Sequence, residues 1–309
     1  MKKKIFIDGK AGTTGLRIEE RLAGRSDVEI ISLPDELRKD PAARKKMLNC
    51  ADIVFLCLPD AAAKEAVSMI DNPEVIVIDA STAHRTAASW AYGFPELSPK
   101  FEEKIANGKR IAVPGCHASG FIALVYPLIQ AGIISPDAHL CAHSLTGYSG
   151  GGKKMIAEYE SAERCSLLGA PRQYGISQMH KHLPEMTAIT GLKSAPAFSP
   201  IVADFYSGME VTVPLFADDI NGSIEDIKNV YRAAYFSPII HFNDTDDEGG
   251  FLSAGKYSGL DSMGISVYGN DERILLVARY DNLGKGASGA AIECLNIKLG
   301  CDKTKTLIV

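Results

Sequence analysis

Short apolar runs alternate with helically spaced ones through the first third of the chain. Residues 4–7, 28–32, 53–58 and 75–79 read as strands, and between them residues 15–22 and 61–70 carry apolar positions at helical spacing. Strand–helix alternation of this kind predicts βαβ units on a parallel sheet. The run 53–58 (IVFLCL) is apolar at every position, as expected of a strand covered on both faces. Beyond residue 121 the pattern changes. Residues 138–146, 209–216, 264–268 and 273–280 read as extended segments among loops rich in Gly, Ser and Pro, which predicts a second domain with an antiparallel or mixed sheet. Residues 287–299 form an apolar helical segment suited to packing back on the first domain. The expected fold class is α/β, with a parallel-sheet domain over residues 1–117 and 284–309 and an α+β domain over residues 118–283.

Composition narrows the function. The 309 residues, 46% hydrophobic and 23% charged, describe a globular chain long enough for two cores. A net charge of −5, with no basic cluster beyond residues 2–4, argues against a nucleic-acid partner. Asp8 and Gly9 end the first apolar run too early for an export signal. The longest apolar segment, residues 121–129, contains Pro127 and falls below the roughly 20 residues that span a bilayer. Seven cysteines, at 50, 57, 116, 141, 165, 294 and 301, show no C-x-x-C spacing and suit reduced thiols in a cytoplasm. Small-molecule chemistry is the expectation.

The strongest candidate for that chemistry is residues 115–120 (GCHASG), between the strand-like run 111–114 and the helix-like run 121–128. A thiol on a strand-to-helix turn meets exposed N–H groups and the positive end of the helix dipole, which favour a thiolate and can hold an oxyanion on a substrate carbonyl. The competing reading makes Cys116 a small buried hydrophobe. Residues 8–16 (DGKAGTTGL) follow the first strand and place Gly9, Gly12, Thr13, Thr14 and Gly15 where a pyrophosphate would approach a helix start. The spacing is G-x-x-G-x-x-G, with Lys10 where the commonest dinucleotide fingerprint has its first glycine, and a plain turn is the alternative. The second strand ends at Ser32 rather than at an acidic residue. With Arg38 and Lys39 nearby this predicts NADP over NAD, unless Asp35 and Glu36 neutralise the turn.

A proton shuttle is expected from residues 178–186 (QMHKHLPEM), where His180 and His182 stand beside Glu185. Local sequence does not choose between the two histidines. Zinc coordination by His-x-His and Glu185 is a rival that lacks a third distinct ligand, and no metal is expected. Residues 144–154 (SLTGYSGGGKK) read as a loop whose Ser149, Gly150 and Lys153 suit a phosphate or carboxylate, or else as a flexible connector. In residues 281–291, Asn282 ends a strand where it could bond a nicotinamide carboxamide.

Taken in order, residues 8–15 (DGKAGTTG), 79–85 (DASTAHR), 92–97 (YGFPEL), 113–120 (VPGCHASG), 180–185 (HKHLPE) and 282–286 (NLGKG) resemble the short form of the N-acetyl-γ-glutamyl-phosphate reductase family of arginine biosynthesis, across essentially the whole chain. The resemblance implies a Rossmann-type cofactor domain and a catalytic and oligomerisation domain, as in the aspartate-semialdehyde and glyceraldehyde-3-phosphate dehydrogenases, in a homodimer or homotetramer. It implies Cys116 as nucleophile, His180 as catalytic histidine and Glu185 as a substrate contact. His182 joins the substrate site, and Pro59, Ser81 and Gly286 join the NADP site. The implied reaction passes through a thioester on Cys116 that hydride from NADPH reduces. The long form of the family has tyrosine after the cysteine and arginine between the histidines, where this chain has His117 and Lys181. The rivals are another acyl-phosphate reductase, such as one acting on aspartyl phosphate, a Cys/His acyltransferase or hydrolase, and a cofactor-binding redox sensor.

Overall fold

The computed structural model describes residues 2–309. The chain divides into two units, one of residues up to Pro114 with Ala287–Leu307, the other of Gly115–Gly286 with Ile308–Val309. Cys116 and His117 therefore lie in the second unit.

The first unit is a sheet of parallel strands: β1 (Lys3–Asp8), β2 (Val28–Ile31), β3 (Ile53–Leu56), β4 (Ile76–Asp79), β5 (Ala91–Tyr92) and β6 (Arg110–Ala112), in the order β2-β1-β3-β4-β6-β5. Its connecting helices are α1 (Thr13–Leu22), α2 (Pro41–Cys50), α3 (Asp60–Ser68) and α4 (Pro99–Asn107). The continuous apolar runs have a plain cause. Alternate residues point to opposite faces, so Ile5, Ile7, Ile53, Phe55 and Ile78 join one core, while Phe6, Val54, Leu56 and Val77 join another. Cys57 and Leu58 extend the apolar run past β3 without strand geometry, because Pro59 already opens α3.

In the second unit α5 (Cys116–Gln130) precedes β7 (Cys141–Gly147), α6 (Gly152–Glu160), β8 (Arg172–Gln173), α7 (Leu183–Thr190), β9 (Ala197–Ala203), β10 (Met209–Phe216), α8 (Ile224–Ala234), β11 (Ile240–Phe242), β12 (Met263–Gly269) and β13 (Arg273–Tyr280). The strands form one mixed sheet in the order β11-β12-β13-β10-β7-β9-β8. Its centre is the antiparallel pair β10–β13, with Met209 opposite Tyr280 and Phe216 opposite Arg273. The last helix, α9 (Gly289–Lys298), belongs to the first unit, and its Ala290, Ala291, Ile292 and Leu295 complete the core that holds Ile5 and Phe55.

Pro127 does not end α5. Without an N–H it cannot serve the carbonyl of Ala123 one turn earlier. The Tyr235 hydroxyl donates to that carbonyl at 2.7 Å, and the Tyr231 hydroxyl donates to the Leu124 carbonyl at 2.6 Å. Buried backbone acceptors must be answered, and here two phenols answer them. Among the described residues no helix is long and apolar enough to cross a membrane.

Candidate active site

Cys116 is the first residue of α5, after an extended glycine cap at Gly115 that offers no side-chain oxygen. The opening N–H groups of a helix have no partner within it. One neighbour of the thiol is secured from α7: Glu185, 2% exposed, accepts the Gly115 N–H through Oε1 at 2.8 Å. A carboxylate in that place orients the turn carrying the sulfur. The Tyr280 hydroxyl donates to the Cys116 carbonyl and accepts from Gly120 N at 3.0 Å. Gly286 is needed for contact, since a Cβ there would lie 3.1 Å from the Cys116 Cβ. Gly286 lies in a π-helical turn, Gly284–Ser288, anchored by buried Asp281, which accepts the Leu283 N–H at 2.7 Å and the Ser207 hydroxyl at 2.9 Å.

Four aromatic rings gather beside the thiol segment. His117, His180, His182 and Phe198 lie with the His117 centroid 5.6, 5.6 and 5.4 Å from the other three in turn. His180 Nδ1 accepts the His182 backbone N–H at 3.2 Å, so the neutral ring carries its hydrogen on Nε2. Burial, aided by the Lys181 charge, pushes His180 down to about 4, and it is neutral at physiological pH. A neutral ring with hydrogen on Nε2 is a donor to an oxygen that gains charge. His182 is 4% exposed, among the rings rather than at the surface. Among the described residues no group of three or more His, Cys, Asp or Glu is placed to hold a metal ion.

Residues 144–154 are not a loop throughout. Ser144 lies inside β7, Tyr148–Gly151 make a tight helical turn, and Lys153 stands on the first turn of α6, with exposed Gly150 before it. Ser149 and Asn282 are buried and committed to each other. Asn282 Nδ2 donates to Ser149 Oγ at 3.0 Å, and Asn282 Oδ1 accepts the Gly208 N–H at 3.0 Å. An amide so used ties three segments of the second unit together.

The first unit holds a separate pocket at the ends of β1 and β2, lined among others by Gly9, Ser32, Asp35, Arg38, Lys39 and Arg44. Gly9 has φ +87°, and a Cβ there would stand 2.3 Å from the Cys57 carbonyl oxygen, so the chain turns where no side chain fits. Gly12, Thr13, Thr14 and Gly15 then open α1 without a side-chain cap. Arg38 pairs with Asp35, so part of its charge is spent on the turn itself. Arg44 was not among the expected residues. Its guanidinium, 9% exposed, is held at 2.9 Å by Asp8 and at 3.2 Å by Glu65. The signal for it was present: Asp40 caps α2 by accepting Ala43 N–H, with Pro41 at the first position, a readable helix start. Pro59 caps α3, and the Ser81 hydroxyl donates to buried Asp79 at 2.7 Å. The glycine cradle and the cations beside Ser32 fit a phosphorylated dinucleotide.

Comparison with known proteins respects the same division. Residues 4–106 match the semialdehyde dehydrogenase NAD binding domain, and residues 116–282 match the semialdehyde dehydrogenase dimerisation domain. A Nostoc protein named N-acetyl-gamma-glutamyl-phosphate reductase 2 is 45% identical over 97% of this chain and 97% of its own. The N-acetyl-gamma-glutamyl-phosphate reductase of Sinorhizobium medicae is 44% identical over 97% of this chain and 99% of its own. Among solved structures, aspartate semialdehyde dehydrogenase II of Vibrio cholerae, complexed with ASA, gives a TM-score of 0.73 at 16% identity, over 97% of this chain and 99% of that one. The aspartate semialdehyde dehydrogenase of Candida albicans with NADP gives 0.66 at 15% identity, over 96% and 98%. At those identities the likeness is one of fold.

Proposed function

The chain belongs to the N-acetyl-γ-glutamyl-phosphate reductase family, and on that footing we propose that Cys116 is the nucleophile with which it converts N-acetyl-γ-glutamyl phosphate and NADPH into N-acetylglutamate semialdehyde, phosphate and NADP in arginine biosynthesis. The observation that carries the assignment is the position of the thiol, first in a buried helix, with the preceding N–H clasped by Glu185.

The Cys116 sulfur attacks the acyl carbon, a C–S bond forms, and the bond to the phosphate oxygen breaks. The carbonyl oxygen, charged in passing, rests on N–H groups at the start of α5. When bound, NADPH supplies the hydride that reduces the resulting thioester carbon. His180, neutral and with hydrogen on Nε2, donates to the hemithioacetal oxygen. Collapse then releases the aldehyde and returns the sulfur as thiolate. Glu185 holds the Cys116 turn in register through these steps, and His182 fixes the ring of His180 through its own N–H. Gly9 and residues 12–15 would receive the pyrophosphate. Ser32, Lys39 and the unspent charge of Arg38 would receive the 2′-phosphate. A lower Michaelis constant for NADPH than for NADH is expected, and equal values would refute that part.

We place the enzyme in the cytoplasm as a homodimer or homotetramer, the dimerisation-domain match supporting self-association. The central test is mass spectrometry of protein mixed with N-acetyl-γ-glutamyl phosphate in the absence of NADPH. An acyl adduct on Cys116 is expected. Absence of any adduct on Cys116 in protein that turns over once NADPH is added would refute the assignment, and a panel of semialdehydes with and without the N-acetyl group tests the substrate.

A further inference from the structure

Tyr280 ends β13 in the interior of the mixed sheet, opposite Met209 and Met263, and is fully buried. Its hydroxyl donates to the Cys116 carbonyl and accepts the Gly120 N–H at 3.0 Å. That carbonyl and that N–H are the acceptor and donor that an α-helix pairs with each other, so the phenol enters the ladder of α5 at the turn that carries the sulfur. Gly120 makes room for it, since a Cβ there would stand 2.7 Å from the hydroxyl oxygen. Burial, with the charge of an ionised Cys116, raises the phenol well above its ordinary range, and it keeps its hydrogen. That one hydrogen is already given to a carbonyl, so Tyr280 has no proton for the chemistry.

A peptide unit is planar and trans, so fixing its carbonyl also fixes the N–H on the opposite edge of the same plane. The Gly115 carbonyl shares its plane with the Cys116 N–H, and the Cys116 carbonyl shares its plane with the His117 N–H. Ser119 holds the first carbonyl, through its N–H at 2.8 Å and its hydroxyl at 3.0 Å. Tyr280 holds the second. The His117 ring is secured at both nitrogens, with Nδ1 2.6 Å from Ser144 Oγ and Nε2 2.6 Å from the Tyr174 hydroxyl, so the peptide is anchored from its other side as well. A hydrogen bond accepted by a carbonyl also polarises the peptide and strengthens its N–H as a donor.

We propose that Tyr280 is a positioning residue for acyl transfer: through the Cys116 carbonyl its hydroxyl aims the His117 N–H, as a donor to the oxyanion that forms when the Cys116 sulfur attacks. Tyr280 acts through the peptide and transfers no proton. The inference rests on Cys116 being the nucleophile.

The test compares two reactions of Cys116 in the intact protein, each followed by peptide mass spectrometry. Acetylation by p-nitrophenyl acetate passes through an oxyanion, as the sulfur bonds to the carbonyl carbon and p-nitrophenolate leaves. Alkylation by iodoacetamide displaces iodide at a saturated carbon and forms none. Tyr280→Phe is expected to slow acetylation at least about tenfold and to leave alkylation within about twofold of wild type at neutral and alkaline pH. Without the hydroxyl, the Gly120 N–H and the Cys116 carbonyl are left to bond each other, so no backbone group is orphaned and the melting temperature should stay close to that of wild type. Gly120→Ala, whose Cβ displaces the phenol without removing it, should show the same split and decides the matter if Tyr280→Phe does not fold. Undiminished acetylation, or an equal loss in both reactions, in either folded variant overturns the proposal, as does a wild-type Cys116 that p-nitrophenyl acetate leaves unmodified. Neither reagent is the proposed substrate, so a mistaken substrate assignment shows in the turnover assay alone.

Discussion

α1 and α5 both leave a strand through a glycine cap in extended conformation, with φ −75° and ψ 165° at Gly12 and φ −76° and ψ 147° at Gly115. Neither cap has a side chain to answer the first N–H groups, so both helices present the same local field. Their bodies differ. α1 buries Gly15, Ile18 and Leu22 along one stripe and turns Leu16 and Glu20 outward, so its N-terminus remains open to an anion. α5 is buried continuously from His117 to Val125, and the N–H ahead of its first residue is taken by Glu185. On the function proposed above, one geometry would serve as a phosphate seat where it is left open, and as a reactive-thiol mount where side chains enclose it.

The largest effect expected from breaking that contrast is at the first helical position. Cys116→Ser should cut turnover at least about a thousandfold in a phosphate-dependent assay, while Thr13→Ala, its counterpart on α1, leaves kcat intact. Near-normal turnover in the serine variant would erase the distinction. Next comes the enclosure itself: His180→Asn should lower kcat by about a hundredfold or more, and His182→Asn by clearly less. The reverse ranking would exchange their roles. The two glycines should then separate the two uses. Gly9→Ala forces a Cβ to 2.3 Å from the Cys57 carbonyl at φ +87°, so it should weaken NADPH binding and cost about 1–2 kcal/mol in denaturant melts. Gly286→Ala presses on the Cys116 Cβ at 3.1 Å and should lower kcat several-fold.

The gentlest probe is acid. Unfolded, both His117 and His180 titrate near 6.5; folded, burial holds them at about 3 and about 4. Their contribution to stability is complete above pH 6.5 and is lost as pH falls toward 4 and then 3, by about 1.4 kcal/mol per pH unit for each ring. Thermal melts across that window should show the loss in wild type and a shallower one in His117→Phe.

Where alternation or helical spacing was undisturbed, the elements were legible: residues 209–216 and 273–280 are strands to the residue. β9 went unread because Pro200 sits inside it, and proline argues against an interior strand. Pro200 lies opposite Ser144 on β7, and its carbonyl accepts Tyr174 N–H, so the residue that hid the strand helps position Tyr174. The place of Cys116 at a helix start was legible because its signal is local, a strand, a glycine and a helix. The bonds from His117 to Ser144 and Tyr174 join residues 27 and 57 positions away, and nothing in the spacing announces such partners. The bond from Asn282 to Ser149 spans 133 positions and is equally silent in the spacing.

The two phenols that answer α5 near Pro127 come from 107 and 112 residues downstream. They act as rivets through the middle of a rod whose front end bears the sulfur, about two turns away. Loosening the rear segment would let that rod flex at its weak joint, so damage far along the polypeptide would surface as a cysteine still present but poorly aimed.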